Sequence, residues 1–453
     1  MLNLALTGFI GALFAAGLRR PFLWVLAYAY IDILVPQKIA WGFLAVLPVS
    51  LMAFVLAFAG WAMIDAKRDS RFTFRQGLIV VLLVYCGMTT MTADFPGPAA
   101  EKWAWVWKAL LFALFLPLTL RTRLRIEAAA LVMVLSVGAI LISGGVKTLA
   151  GGGGYGTLRT LVAENSGIYE GSTLSTVAIA IIPLAWWLAR HGTIFPRGRL
   201  ATLFAAALTF AAVLIPIGTQ TRTGLLCLAL LGVLALRNVK RRLLFIGGAV
   251  VLAVIAVPFL PDSYTRRMST IENHKSDQSA SIRVAVWNWT LDYVKDNPFG
   301  GGFDAYRGNR VKVELTETTG SANNTSTEVT DAFDQARAYH SSYFEMLGEQ
   351  GWPGLILWLW IQLLGLWQME RIRMKWSKRT GAGQTWQAPL ADALQQVQMV
   401  YLAGSLFLGI AFQPFIFMVI GVQCGLWSYL RRIDAPQRIP LHRGPPVLRT
   451  STL

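Results

Sequence analysis

The chain has 453 residues, of which 55% are hydrophobic, and a formal net charge of +17 at pH 7. Its mean hydropathy of +0.50 excludes a soluble globular protein, because apolar runs long enough to enter a membrane recur from end to end. The positive charge lies mainly in the short connections between those runs. This distribution argues against a nucleic-acid partner and favours a polytopic membrane protein.

The apolar runs predict an all-α polytopic membrane protein with 12 or 13 transmembrane helices. The first two runs are short for full crossings. The last two are separated only by Gln413-Pro414, which predicts a tight hairpin or a broken helix. The predicted spans lie at 2–18, 21–35, 42–64, 77–92, 103–120, 126–143, 172–190, 199–217, 223–236, 241–260, 354–370, 391–412 and 414–430.

Lys and Arg are concentrated in alternate connections, and the positive-inside rule places those connections in the cytoplasm. By parity, the one long connection lies on the outer face. We therefore expect a multi-pass protein of the bacterial inner membrane. Its expected parts are an N-terminal transmembrane bundle over 1–260, an outer loop with short helices over 261–353, C-terminal transmembrane helices over 354–430 and a cytoplasmic tail over 431–453.

The three cysteines, Cys86, Cys227 and Cys424, lie inside apolar runs, so we expect buried thiols and no disulfide framework.

A second outer segment, 144–171, contains four consecutive glycines from Gly151 onward, which are too flexible for a helix. This run either lets the backbone approach a ligand closely or forms a mobile loop.

Two basic residues stand at unusual places in the predicted spans. Arg222 lies at the outer end of a span, and Lys108 lies below an outer interface marked by Trp103, Trp105 and Trp107. Arginine at the centre of a membrane helix costs about 2.5–3.5 kcal/mol, and less near the interface. Either an anionic partner offsets this cost or the side chains snorkel to the headgroup level.

The long outer loop contains a predicted amphipathic helix that begins near residue 281 and ends at Asn297-Pro298. Its tryptophans suit a membrane surface. Helical spacing places Arg283, Trp287 and Thr290 on one face. Arg283 is therefore a third basic residue that we expect at the outer membrane boundary.

His340 directly precedes a short predicted helix. Ser342 and Glu345 have capping-box spacing, so this helix should begin near Ser342. Gly351 and Pro353 predict its end. The partial positive charge at a helix N-terminus opposes protonation of a neighbouring imidazole, so His340 is a candidate base. The alternative is an ordinary surface histidine at a helix start.

Two outer arginines and a histidine at the lipid boundary suit glycosyl transfer from a lipid-linked diphosphate. Arg222 and Arg283 would give bidentate contacts to phosphate oxygens. Negative charge builds on the leaving phosphate, so these contacts stabilise the transition state more than the ground state. His340 would take the proton of the acceptor hydroxyl, and Lys108 is a further candidate phosphate contact. The sequence shows no convincing metal site. Asp331 and Asp334 are the only close carboxylates near His340, and one such pair is weak evidence for a divalent ion.

Several of these segments also occur together in one known family. They are Arg19-Arg20-Pro21 leading to Ala40-Trp41-Gly42-Phe43, the glycine run to Tyr155, Thr221-Arg222-Thr223-Gly224, Arg267-Met268-Ser269-Thr270-Ile271, Arg283 before the tryptophans, Gly300-Gly301-Gly302-Phe303, and His340-Ser341-Ser342-Tyr343-Phe344-Glu345 through Gly351. With them, nearly the whole chain resembles the O-antigen ligase/polymerase superfamily of bacterial inner-membrane glycosyltransferases. It is most similar to the branch of O-glycosylation ligases associated with exosortase systems.

The resemblance implies that Arg222 and Arg283 bind the diphosphate of an undecaprenyl-diphosphate-linked glycan donor and that His340 is the catalytic residue. It implies a GT-C-like helical fold and an inverting transfer without a metal or other cofactor, on the periplasmic side of the membrane. The acceptor would be a glycan, a lipid or a protein. The chain departs from the family at Glu170-Gly171-Ser172, where relatives carry asparagines after the acidic residue.

Two alternatives stay open at this point. A Wzy-type polysaccharide polymerase differs from a ligase only in its acceptor, and the sequence does not separate the two. A transporter of lipid-linked sugars would usually show paired repeats and ionisable residues near the bilayer midplane. The unusual polar residues of this chain cluster instead at one predicted face.

Overall fold

The structure is a computed structural model. It describes residues 2–40, 43–67, 70–151, 158–162, 167–195, 197–256, 258, 260, 264–265, 278–319, 326–379, 381 and 383–434. These residues are predominantly α-helical and the helices are mostly apolar. The predicted class, an all-α polytopic membrane protein, is confirmed.

The first part of the chain consists of helices joined by short connections. They are α1 (Leu2–Arg19), α2 (Phe22–Leu34), α3 (Pro36–Ile39), α4 (Phe43–Val46), α5 (Val49–Met63), α6 (Phe74–Met91), α7 (Pro96–Thr119), α8 (Arg123–Leu149), α9 (Gly171–His191), α10 (Arg199–Thr219), α11 (Arg222–Ala235) and α12 (Arg242–Ala256). Single 3-10 turns at Gly167–Tyr169 and Leu236–Asn238 flank α9 and α11.

The second part begins with the long predicted outer loop. It contains α13 (Gln278–Asp296), a 3-10 turn at Ala305–Gly308, and the antiparallel strands β1 (Arg310–Thr319) and β2 (Ser326–Gln335), and it leads into α14 (Ser342–Trp376), α15 (Gln387–Gly404) and α16 (Pro414–Asp434). The strands correct our expectation of a loop with helices alone. Alternation of Val311, Val313 and Leu315 with polar residues is the sequence signal that marks β1.

Five described helices are long and apolar enough to cross a membrane: α6, α8, α9, α10 and α16. Four shorter apolar helices are Asn3–Arg19, Phe22–Leu34, Val49–Met63 and Arg222–Ala235. A full crossing takes about 20 residues of helix, so several predicted spans correspond to shorter helices. The number of spans, 12 or 13, stays a prediction.

Two predicted boundaries are wrong, both inside apolar sequence. The span expected at 42–64 is divided into α4 and α5 by Leu47-Pro48. The connection near Gln413-Pro414 is not a tight hairpin, because α15 already ends at Gly404. Periodicity does not distinguish a short apolar coil from a helix. The intervening segment, 405–413, provides backbone hydrogen-bond partners near His340, as described below.

Arg75, which follows a basic connection in the sequence, is fully buried at the start of α6. Its Nε donates to the carbonyl of Ile361 at 2.8 Å, and its Nη1 donates to Oε1 of Gln423 at 2.7 Å. These bonds tie α6 to α14 and α16. The three cysteines are buried free thiols, as predicted.

Among these five long helices, α9 is the most deeply buried, because 83% of its most apolar stretch lies inside the protein. It packs against α10, α11 and α15. Close approach to α15 depends on Gly404, where an added Cβ would overlap Thr176 of α9. Since α14 packs against α15, α6 and α13, this arrangement brings the starts of α9, α11 and α14 to one end of the bundle. We call it the outer end, after the topology that the charge pattern predicts.

Candidate active site

His340 lies directly before α14 with a left-handed backbone (φ 48°). As predicted, the helix begins at Ser342, but the capping box is wrong. The Ser342 hydroxyl donates to the carbonyl of Leu408 at 2.8 Å and accepts from the Ile410 N–H at 2.9 Å. The Ser342 N–H donates to the carbonyl of Ser405 at 2.9 Å. Residues 405–413 therefore hold the helix start, in place of a local cap.

The predicted break at Gly351 is present, but the helix resumes and continues to Trp376. Gly351 has φ 63° and ψ −168°, a conformation that a residue with a side chain rarely adopts. The turn 298–302 packs into this break: the Trp352 N–H donates to the Pro298 carbonyl at 3.0 Å. The Gly301 and Gly302 N–H groups donate to the carbonyls of residues 348 and 349 at 3.0 and 2.9 Å. The glycine turn thus fixes the first turns of α14.

The predicted amphipathic helix is α13, and it ends at Asp296 beside Asn297-Pro298, as predicted. Trp287 of this helix packs against the segment around His340, and a membrane-surface role for the tryptophans stays a prediction. Its ring stacks on Phe344 at 4.9 Å with an interplanar angle of 3°. Its Nε1 donates to the carbonyl of Tyr339 at 2.9 Å. The face that carries Arg283 and Trp287 is therefore docked on the His340 segment.

His340 interacts electrostatically with three charged residues from different parts of the chain. Partial desolvation lowers the pKa of the His340 imidazole, and the positive charge of Arg283 lowers the pKa further. Glu170 opposes this shift, and Arg337 adds to it. The imidazole is therefore neutral at neutral pH, which is the form a general base requires.

Glu170 is the N-cap of α9. Its carboxylate accepts from the N–H groups of Ser172 at 3.0 Å and Thr173 at 2.6 Å. A carboxylate at a helix N-terminus is stabilised by the free N–H groups there. The role of Glu170, which sequence reasoning left open, includes this cap and the electrostatic interaction with His340.

The start of α11 adjoins Glu170. A Cβ built on Gly171 would lie 3.3 Å from Thr219 Cβ and 3.8 Å from Thr221 Cγ2. Three hydroxyls then connect the helices: Ser175 to Thr219 at 2.9 Å, Thr219 to Thr221 at 3.1 Å, and Thr221 to Ser175 at 2.8 Å. Arg222, the first residue of α11, directly follows this network and is half-buried.

Arg283 presents a buried nitrogen to the site. Its side chain is half-buried, and its Nε has no hydrogen-bond partner among the described residues. A buried donor without a partner is costly, because it has lost water without gaining another acceptor. The arrangement favours an anionic ligand that supplies oxygen acceptors.

Lys108 stands apart from this group. It interacts electrostatically with Asp32 of α2, whose carboxylate also accepts from Tyr28 and Ser50, both at 3.3 Å. Asp32 is an acidic neighbour that the sequence did not assign to Lys108. No described contact joins Lys108 to His340, and its role in diphosphate binding stays a prediction.

Sequence reasoning missed a buried cluster at the first turns of α14. Lys102 Nζ of α7 lies 2.7 Å from Glu345 Oε1, 2.8 Å from Glu349 Oε1 and 3.9 Å from Asp304 Oδ1. We call these four residues the Lys102 cluster. The sequence signal for this cluster was the spacing of Glu345 and Glu349, which places two carboxylates one helical turn apart on the same helix face. The lysine comes from a helix more than 200 residues away, so spacing did not reveal it.

Parts of the predicted site lie outside the described residues. These parts are Trp41-Gly42, Gly152 through Gly156, and Arg267 through Ile271. Of the two carboxylates considered for a divalent ion, Asp334 pairs with Arg337, and the side chain of Asp331 is not described.

Two families match this chain. Residues 1–193 match a family of unknown function, DUF5935, and residues 207–359 match the O-antigen ligase family, Wzy_C. No curated protein matches the chain. Arg222, Arg283 and His340 all fall within the O-antigen ligase region, whereas Lys108 falls outside it. Residues 207–359 therefore form an O-antigen ligase domain, and this match supports the resemblance of the chain to the O-antigen ligase/polymerase superfamily.

Proposed function

We propose that this protein is an inner-membrane glycosyltransferase that moves a glycan from undecaprenyl diphosphate to an acceptor hydroxyl on the periplasmic face. One observation carries the proposal: His340 lies within the electrostatic influence of Arg283, inside the O-antigen ligase region. The charge pattern of the connections supports the periplasmic orientation. The motifs around His340 support the exosortase-associated branch.

Arg222 and Arg283 would bind the diphosphate. The partnerless Nε of Arg283 supports this assignment. Each charge-assisted hydrogen bond contributes about 1.5–3 kcal/mol. As the bond between the anomeric carbon and the diphosphate oxygen breaks, its electron pair leaves with the diphosphate. The growing negative charge then strengthens the contacts with both guanidinium groups, so they lower the barrier rather than only binding the donor.

His340 would be the general base. Its lowered pKa keeps the imidazole neutral before the donor binds. A bound diphosphate brings negative charge next to the ring, which favours its protonated form. The imidazole then accepts the proton of the acceptor hydroxyl while that oxygen attacks the anomeric carbon from the face opposite the leaving diphosphate. The configuration at that carbon inverts, and no metal ion takes part in the proposed step.

The experiment measures glycan transfer by purified protein in lipid nanodiscs, with a lipid-linked donor and candidate acceptors. His340→Ala, Arg222→Ala and Arg283→Ala should each lower the rate, the first by about 10²- to 10⁴-fold, as expected for loss of a general base. His191→Ala, at the opposite end of α9, is the matched control and should transfer normally. Full activity in the His340→Ala protein would refute the mechanism.

The same preparation separates the remaining possibilities. Elongation of one lipid-linked glycan by another would identify a polymerase, and transfer to a lipid core or a protein would identify a ligase. Flux of the donor across proteoliposomes without a covalent product would identify a transporter instead. Loss of transfer after addition of a chelator would contradict metal independence.

A further inference from the structure

The Lys102 cluster is a buried group of opposite charges at the outer end. The side chains of Lys102, Glu345 and Glu349 are 13%, 7% and 0% exposed. Both Glu349 oxygens contact the ammonium group, at 2.8 and 2.9 Å. Burial raises the pKa of Glu349, and Lys102 opposes that shift. Without the lysine, this helix start would hold buried negative charge with little to offset it.

The cluster joins four segments at the first turns of α14, the helix that follows His340. Lys102 belongs to α7, and both glutamates belong to the first turns of α14. Glu349 Oε1 also accepts from the N–H of Asp304, at 3.0 Å, which follows the glycine turn. Glu345 Oε2 accepts from the N–H of Ala411 at 3.0 Å. Ala411 lies in the 405–413 connection, whose backbone also binds Ser342.

Tyr339 transmits the position of α14 to His340. Its side chain is only 2% exposed, and it lies against Gly348, where an added Cβ would overlap the phenol hydroxyl. That hydroxyl has no hydrogen-bond partner among the described residues and interacts electrostatically with Glu349, Glu345 and Asp304. Trp287 binds the Tyr339 carbonyl from α13. A shift of α14 would therefore displace the residue next to His340.

We infer that Lys102 is a positioning residue for His340. By binding both Glu345 and Glu349, its ammonium group holds α14, Tyr339 and α13 in the register that sets the His340 ring next to Arg283. Lys102 acts through these residues and does not itself contact a substrate. The kinetic part of this inference rests on the proposed glycosyl transfer, whereas the position of His340 can be measured without any reaction.

The first readout is independent of activity. Diethyl pyrocarbonate modifies neutral imidazole, so the pH dependence of His340 labelling, followed by mass spectrometry, reports its apparent pKa. In Lys102→Met the midpoint should rise toward the value of a free histidine, because the ring is no longer held beside Arg283. Lys102→Arg keeps the charge and should retain the wild-type midpoint. Lys295→Met, an exposed lysine on α13, is the matched control and should also retain it.

The second readout is transfer kinetics in nanodiscs. Lys102→Met should lower kcat by roughly 10- to 100-fold with little change in the KM of the donor, since a misplaced base slows the reaction without removing the phosphate contacts. Lys102→Arg should recover most of this loss. An equal loss in the arginine variant would contradict the charge-dependent role. Wild-type kcat and an unchanged His340 midpoint in Lys102→Met would overturn the inference.

A second variant tests the inference if Lys102→Met does not fold. If Lys102→Met does not give a monodisperse protein, Lys102→Met/Glu349→Gln removes one charge of each sign, so the net charge of the cluster stays that of the wild type. The same rise in the His340 midpoint is expected there, and a wild-type midpoint with wild-type kcat would overturn the inference. Absence of transfer by the unmodified protein would refute the proposed function, but the labelling comparison would still decide the role of Lys102.

Discussion

Arginines at the two ends of the helix bundle differ in their partners. At the end with the basic connections, Arg121 and Arg125 share one carboxylate partner. Asp65 is held by Arg121 at 2.9 Å and by Arg125 at 2.7 Å. At the outer end, the described structure gives Arg283 no carboxylate partner, and its charge acts on His340. The comparison teaches that the arginines paired with Asp65 tie neighbouring connections together, whereas Arg283 has no carboxylate partner in the described structure, as its proposed role in binding an anion requires.

The largest expected difference between the two ends comes from removing one arginine at each. Arg283→Gln should lower glycan transfer by roughly 10²- to 10³-fold, as removal of a transition-state contact does, and should leave the unfolding temperature nearly unchanged. Arg125→Gln should lower the unfolding temperature, because Asp65 loses one of its two partners. Transfer per folded molecule should stay at the wild-type rate.

Transfer assays and thermal unfolding of both variants in the same detergent check this prediction. If Arg125→Gln loses as much transfer as Arg283→Gln, the distinction between joining and binding arginines is wrong. Arg283→Lys sharpens the comparison: it keeps the charge but loses the bidentate geometry, so it should recover only part of the rate.

An intermediate effect is expected from Gly348→Ala. The new methyl group would overlap the Tyr339 hydroxyl, so the phenol ring has to move and the backbone beside His340 moves with it. Transfer should fall about 10-fold or more, because small displacements of a catalytic group are costly. Gly77→Ala in α6 is the matched control, since an added Cβ meets nothing within 4 Å there. Its transfer rate should match the wild type. A Gly348→Ala protein with full activity would show that Tyr339 does not position His340.

The smallest expected effect is a shift in pH dependence. The negative charge of Glu170 raises the pKa of His340, against the larger lowering by desolvation and Arg283. Glu170→Gln removes that charge and keeps an oxygen that can cap α9. The pKa of His340 should then fall further, so that the acid limb of kcat/KM moves to lower pH. Arg337→Gln removes a positive charge and should move the limb to higher pH. Profiles of kcat/KM against pH test both signs, and shifts in the same direction would contradict the electrostatic assignment.

The sequence predicted the candidate residues better than their surroundings. Ionisable residues near a membrane boundary are rare and costly, so Arg222, Arg283 and His340 stood out without any coordinates. The helix that carries Arg283 and the break at Gly351 were also predicted, because Pro and Gly mark such ends clearly. Lys108 stood out by the same reasoning, yet the structure assigns it Asp32 as a neighbour, which spacing along one helix does not reveal.

The missed features all involve partners distant in sequence. Ser342 and Glu345 have capping-box spacing, but they do not cap the helix. The Ser342 hydroxyl forms its hydrogen bonds with the backbone of the 405–413 connection, and Glu345 binds Lys102. The early end of α15 was missed because residues 405–412 are as apolar as a helix. The β1–β2 pair was missed because one alternating stretch is a weak signal until a second strand pairs with it.

The sequence by itself determined that this protein is helical and enters a membrane, because hydrophobic length and charge asymmetry are local properties that the bilayer selects. It also predicted which ionisable residues lie where a membrane makes them costly. Only the tertiary structure decided which of them meet. The packing of α9, α11, α13 and α14 brings the surroundings of Arg222, Glu170, Arg283 and His340 to one end, and Lys102 lies beneath that end. Such contacts arise from packing between elements far apart in the chain, and no periodicity encodes them.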